Sequence, residues 1–210
     1  MKGLLFITHQ TEKIDYLQSV QLALDGGCRQ IQLRMKEATP DEVERVGRET
    51  KTLCDRYQAA LFIDDHAEVC KQIGAVGVHL GKMDISPVEA RQILGHDFII
   101  GGTANTFEDI QYLVASGVNY IGLGPFRFTT TKKNLSPILG LEGYQNIMQQ
   151  CRQQGISLPI FAIGGITIDD IPAIMETGVT GIALSSTILN TDNPVETTQK
   201  IVQIINQYQR

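Results

Sequence analysis

An eightfold alternation constrains this chain more than any other feature. Short β-rich runs at 4–8, 30–34, 60–64, 77–80, 98–101, 120–122, 160–163 and 181–184 are separated by longer helical patterns. The runs show little period-two alternation and are near-continuously apolar, as in Ile160-Phe161-Ala162-Ile163. Such strands suit a parallel sheet covered on both faces. Between them, Val43, Val46, Leu53 and Tyr57 share one helix face. Ile110, Leu113 and Val114 repeat the pattern, as do Tyr144, Ile147, Met148 and Cys151, and finally Ile201, Ile204, Ile205 and Tyr208. Thr39, Pro40 and Glu42 form a helix start with a capping residue, a proline at the first helical position and a reciprocal Glu. Glycines near 26, 74, 95, 117, 155 and 178 mark the helix-to-strand returns.

Eight strands alternate strictly with eight helices, with no internal linker or composition break. The expectation is an α/β protein, a single (β/α)8 TIM barrel over residues 1–210. A doubly wound open sheet is the main rival. The chain is acidic overall, with a formal net charge of -5, which argues against a nucleic-acid partner. Any anionic ligand must therefore be met by locally placed positive charge. The four cysteines, Cys28, Cys54, Cys70 and Cys151, lack C-x-x-C spacing, and Cys54 and Cys151 read as small buried residues. The apolar N-terminal run stops at His9, too early for a signal-peptide core, and no apolar run reaches transmembrane length. No membrane partner is expected, and a cytoplasmic setting with reduced thiols is the default. The oligomeric state is left open, with a homodimer as one option.

A barrel carries its site at the carboxyl ends of its strands. After the second strand comes Gln32-Leu33-Arg34-Met35-Lys36, whose alternation turns Gln32, Arg34 and Lys36 to one side. The third strand ends at Asp64-Asp65-His66 and the fourth at His79-Leu80-Gly81-Lys82-Met83-Asp84. Carboxylates at adjacent strand ends can share a hard cation, although Asp64 and Asp65 equally suit helix caps. His79 reads as a hydrogen-bonded structural histidine. After the fifth strand, Gly101-Gly102-Thr103-Ala104-Asn105 offers close backbone approach and orienting polar groups, with Thr106 as a helix cap. The sixth strand is followed by a long loop that concentrates three hydroxyls, Thr129, Thr130 and Thr131, and the cations Arg127, Lys132 and Lys133. Gly164-Gly165-Ile166 and Ser185-Ser186-Thr187 follow the last two strands, where such barrels often hold phosphate. Two anion zones result, one basic and metal-assisted, the other a neutral backbone cup.

In this order the motifs Gln32 to Lys36, Ile63-Asp64-Asp65, Gly77 to Asp84, Gly124-Pro125 through Lys133, and Ala162 to Ile166 resemble the thiamine-phosphate synthase family over nearly the whole chain. The resemblance implies an enzyme, a transferase of thiamine biosynthesis. It would condense hydroxymethylpyrimidine diphosphate with thiazole phosphate by a Mg2+-assisted dissociative substitution, releasing pyrophosphate. By motif position, Arg34, Lys36 and Lys132 hold the diphosphate and Gln32 orients the pyrimidine. Asp64 is a substrate-binding position, and Thr103, where the family usually has Ser, faces the pyrimidine. Thr129, Thr131, Gly165, Ser185 and Ser186 take the thiazole phosphate, and Asp65 and Asp84 take Mg2+.

The chain departs from the pattern at Asp64-Asp65-His66, where the family usually has Asn-Asp-Arg, and at His9, where an acidic residue is common. Asp64 brings an extra negative charge beside a diphosphate, which Mg2+ or a proton must offset. Alternatives are a thiazole tautomerase-like paralogue and a non-catalytic thiazole-phosphate binder.

Overall fold

The computed structural model describes residues 1–128 and 137–208. Eight parallel strands close into a barrel in the order β1-β2-β3-β4-β5-β6-β7-β8. They are β1 (Gly3–Ile7), β2 (Gln30–Leu33), β3 (Ala60–Asp64), β4 (Gly77–Leu80), β5 (Ile99–Ala104), β6 (Tyr120–Leu123), β7 (Ile160–Ala162) and β8 (Gly181–Leu184). The helices are α1 (Tyr16–Asp25), α2 (Pro40–Arg56), α3 (Ala67–Ile73), α4 (Pro87–Leu94), α5 (Phe107–Ala115), α6 (Gly140–Gln153), α7 (Ile171–Glu176), α8 (Ser186–Leu189) and α9 (Pro194–Asn206). The TIM-barrel expectation holds, and β1 pairing with β8 excludes an open sheet.

The expected eight helices become nine among the described residues, plus a 3₁₀ turn at Ile168–Asp170. The addition, α8, has four residues, too few for a helical period to show in sequence. Thr39 and Thr106 cap α2 and α5 as expected, each within a reciprocal capping box. All four cysteines are buried free thiols. Burial pushes Cys28 up to about 11 and Cys54 and Cys70 up to about 12, which suits packing rather than chemistry. Among the described residues no helix is long and apolar enough to cross a membrane.

The structure has two cores because each strand has two buried faces. Leu4, Phe6, Ile31, Leu33, Leu61, Ile63 and their neighbours pack outward against the helices. Leu5, Phe62, Tyr120, Phe161 and Ala183 fill the lumen. The Tyr120 ring meets Phe62 and Phe161 edge-on, at centroid distances of 5.6 and 5.9 Å. Room for these rings comes from inward-facing glycines on adjacent strands. Register pairs Gly101 with Tyr120, and a Cβ on Gly101 would lie 2.2 Å from Tyr120 Cζ. Gly102, one position on, leaves space for Leu113 instead. These two glycines therefore serve packing inside β5, not the ligand approach expected from their place near a strand end.

Gly101→Ala is expected to cost about 1–3 kcal/mol of stability, typical of overpacking a filled core. The check is a lowered urea midpoint with an unchanged denaturant slope. An unchanged midpoint would mean that the Tyr120 ring yields freely.

Candidate active site

Above the ring layer the lumen opens as a cleft at the carboxyl ends of the strands. Its lining includes Gln32, Arg34, Lys36, Asp64, Asp65, Thr103, Gly165, Ser185 and Ser186, nine of the site residues expected from sequence. Asp84 lies outside this lining but reaches its edge, where its Oδ2 accepts the Gly81 N–H at 2.6 Å. Lys132, Thr129 and Thr131 fall outside the described residues.

One wall is an ionic corner built from β2, β3 and β4. Gln32 is buried and donates Nε2–H to Asp64 Oδ1 at 2.5 Å. Arg34 Nε lies 3.5 Å and Lys36 Nζ 3.4 Å from Asp64 Oδ2. Lys36 also donates to Asp65. The backbone beneath Arg34 is fixed by Thr8, a buried residue that sequence reasoning passed over. Its hydroxyl accepts the Arg34 N–H at 2.9 Å.

Asp65 sits at φ 67°, a left-handed conformation uncommon outside glycine. Its N–H donates to the His79 carbonyl at 2.8 Å, and the His66 N–H to the Asp64 carbonyl at 2.8 Å. Neither aspartate caps α3; its N-cap position is His66, whose side chain makes no capping bond. The kink thus sends two consecutive carboxylates into one corner.

The charges there nearly cancel. Burial pushes the Asp64 carboxyl up, against the pull of Lys36 and Arg34. Asp84 is raised by burial and by the adjacent Asp65 carboxylate. Burial depresses Lys36, but Asp64, Asp65 and Asp84 outweigh it and its ammonium is held above the usual lysine value. Two cations face three carboxylates. The zone expected to be basic is in fact compensated, because its cations are already bound by the carboxylates beside them.

His79 links the lumen to the cleft. It is buried, with Nδ1 3.0 Å from the Tyr120 hydroxyl and Nε2 3.0 Å from Thr103 Oγ1. The expected structural histidine is thus hydrogen-bonded, and it also lines the cleft. Asn105, read as able to orient a ligand, donates its amide to the Gly124 carbonyl instead.

The opposite wall is formed by the turns after β7 and β8. Gly164 and Gly165 adopt φ 91° and 68°, and a Cβ on either would strike the chain after β6, at Pro125 or Phe128. Ser185 Oγ is buried without a hydrogen-bond partner among the described residues. Arg127, counted from sequence among the loop cations, pairs instead with Asp170 at 2.8 Å. That pairing holds the Asp170 carboxyl down at about 2.

Fold and site together define a (β/α)8 barrel with a polar cleft at the C-terminal rim of its strands. The sequence profile of the family described as thiamine monophosphate synthase matches residues 4–188. The chain belongs to that family and is a transferase of thiamine biosynthesis. It is 60% identical over 204 residues to a thiamine-phosphate synthase of Bacteroides fragilis, covering 97% of this chain and 100% of that one. A thiamine-phosphate synthase of Bacillus cereus is 34% identical, over 90% of this chain and 85% of its own length. Among solved structures, thiamine phosphate pyrophosphorylase from Pyrococcus furiosus superposes with a TM-score of 0.85 at 30% identity, covering 98% and 96% of the two chains.

The raised Asp64 carboxyl has a consequence for stability. A folded-state value above the ordinary 3.8 favours the protonated fold, so stability falls as pH rises through it. Asp64→Asn is expected to melt higher than the parent at pH 7, ligand-free, with the gain fading toward pH 4. A gain that persists undiminished to pH 3 would contradict the burial argument.

Proposed function

We propose that the cleft joins a hydroxymethylpyrimidine diphosphate to a thiazole phosphate, releasing pyrophosphate and thiamine phosphate, with the barrel of residues 1–210 acting as one domain. The observation that carries this reading is the pairing of unlike walls. A compensated ionic corner faces a neutral turn whose Gly164, Gly165 and Ile166 N–H groups donate to no other described residue. One suits a metal-bound diphosphate, the other a monophosphate.

Arg34 and Lys36 take the diphosphate and neutralise the charge that grows as it leaves. Lys132 is assigned to the same group by its motif position. Gln32 spends its amide N–H on Asp64, so its carbonyl oxygen is presented to the cleft. That oxygen suits the exocyclic amino group of an aminopyrimidine. Thr103, tethered by His79, faces the same ring. Gly165, Ser185 and Ser186 take the thiazole phosphate through backbone N–H and hydroxyl groups, with Thr129 and Thr131 assigned there by motif position. A dissociative substitution needs charge stabilisation and ring positioning rather than a nucleophile and base pair, and the cleft supplies those two things.

Asp65 and Asp84 are the Mg2+ ligands in this reading. Their fit rests on hard oxygen donors in one corner, where burial and then the neighbouring Asp65 carboxylate raise Asp84, and on the corner's excess of carboxylates over cations. Bound there, Mg2+ would supply the positive charge that turns the corner from anion-repelling to anion-binding. Lys36 then exchanges part of its contact with Asp65 for diphosphate oxygens.

The test supplies both substrates with Mg2+ and measures pyrophosphate and thiamine phosphate. Turnover is expected, and chelation of Mg2+ should abolish it while leaving thiazole-phosphate binding intact. Absence of product at high enzyme concentration would refute the reading. Arg34→Gln should lower kcat by about 10²–10³, as for other lost charge-stabilising donors. Its affinity for thiazole phosphate should stay within about twofold; equal loss of both would contradict the two-walled division.

A further inference from the structure

Three consecutive carbonyls of the turn after β7, those of Ile163, Gly164 and Gly165, are occupied from outside the cleft. The Ile163 carbonyl accepts the Phe126 N–H at 2.9 Å, and the Gly164 carbonyl accepts the Arg127 N–H at 2.9 Å. Gly165 O accepts Arg127 Nη1–H at 2.8 Å. In a trans peptide the N–H lies opposite the C=O. Fixing these carbonyls outward therefore turns the N–H groups of Gly164, Gly165 and Ile166 the other way. All three residues line the cleft, and none of these N–H groups donates to another described residue.

The Arg127 guanidinium is itself held. Nη1 and Nη2 meet Asp170 Oδ2 and Oδ1 at 2.8 and 2.9 Å, a bidentate pair. Asp170 Oδ2 also accepts the Thr167 N–H at 2.8 Å and its hydroxyl at 2.7 Å. One carboxylate thus ties the chain after β6 to the far end of the β7 turn, at Thr167. Arg127 stays outside the cleft lining, so it acts on a ligand only through the backbone it holds.

We propose that Arg127 and Asp170 are a positioning pair that aims the Ile166 N–H group at the phosphate of the monophosphate substrate, through the Gly165 carbonyl that the guanidinium holds. The inference rests on the synthase reading and deepens it, by naming what organises the phosphate cup. The pair is half exposed on the arginine side, at 49%, so its effect on global stability is small while its effect on amide direction is large.

The test compares the parent with Arg127→Ala, Arg127→Lys, Asp170→Asn and the double variant Arg127→Ala/Asp170→Asn. Each substrate is varied in turn, inorganic phosphate and thiazole phosphate are titrated by calorimetry, and melting is followed in parallel. Arg127→Ala should raise KM for thiazole phosphate about tenfold, the worth of one charge-assisted hydrogen bond. KM for the pyrimidine diphosphate should stay within about twofold, and inorganic phosphate should weaken in step with thiazole phosphate. Arg127→Lys keeps one of the bonds and should recover part of the loss. The double variant should be no worse than the weaker single one, as for groups acting through one contact. Equal changes in both KM values, or losses that follow the drop in melting temperature, would overturn the pair's role and leave the synthase reading standing. A parent that makes no product, yet loses phosphate binding on Arg127→Ala, would overturn that reading and support the pair.

Discussion

The ring layer in the barrel lumen governs what lies above it. Phe62, Tyr120 and Phe161 fill the lower lumen edge-on, in space that glycines on neighbouring strands leave open. The cleft can begin only where the rings end. The layer also supplies a polar handle, because the buried Tyr120 hydroxyl is satisfied by His79. His79 in turn holds Thr103 at the cleft floor. Packing, hydrogen bonding and substrate presentation are in this way one vertical chain through the barrel.

Charge compensation is the second organising constraint. A buried carboxylate such as Asp64 survives only when paired and hydrogen-bonded. Gln32 hydrogen-bonds one Asp64 oxygen, and Arg34 and Lys36 stand as ion-pair partners at the other, which has no hydrogen-bond partner among the described residues. The groups proposed to receive a diphosphate are therefore preorganised by an internal carboxylate before any substrate arrives. The extra negative charge of Asp64, which in sequence looks like an obstacle to anion binding, is the centre around which the cations are arranged. Asp84, by contrast, is raised by burial and by the neighbouring Asp65 carboxylate, and a divalent cation suits that pair better than a bare diphosphate does.

The opposite wall works without net charge. Its capacity to hold an anion comes from backbone N–H groups in a turn that only glycine can trace, with two consecutive left-handed residues. The chain after β6 presses against that turn closely enough to forbid a side chain there. The two walls divide the work: one balances large formal charges, the other aligns small dipoles.

The barrel was readable from sequence because strand and helix periodicity are local properties, repeated eight times with glycine at the returns. The strand ends followed, and with them the cleft positions of Gln32, Arg34, Lys36, Asp64, Asp65, Thr103, Gly165, Ser185 and Ser186, since a barrel carries its site at the carboxyl ends of its strands. Partners across strands were not readable. That Asp64 compensates Arg34 and Lys36, that Arg127 leaves the loop cations to bind Asp170, and that Gly101 and Gly102 serve Tyr120 and Leu113 all depend on contacts between residues distant in the chain. Thr8 and α8 carried no sequence signal, the one a lone hydroxyl beneath Arg34, the other a single turn. Residue type and period determined the fold and the rim on which the chemistry sits. Only tertiary packing decided which charges on that rim are spent on each other and which remain for a ligand, because pairing is set by distance in space and by burial.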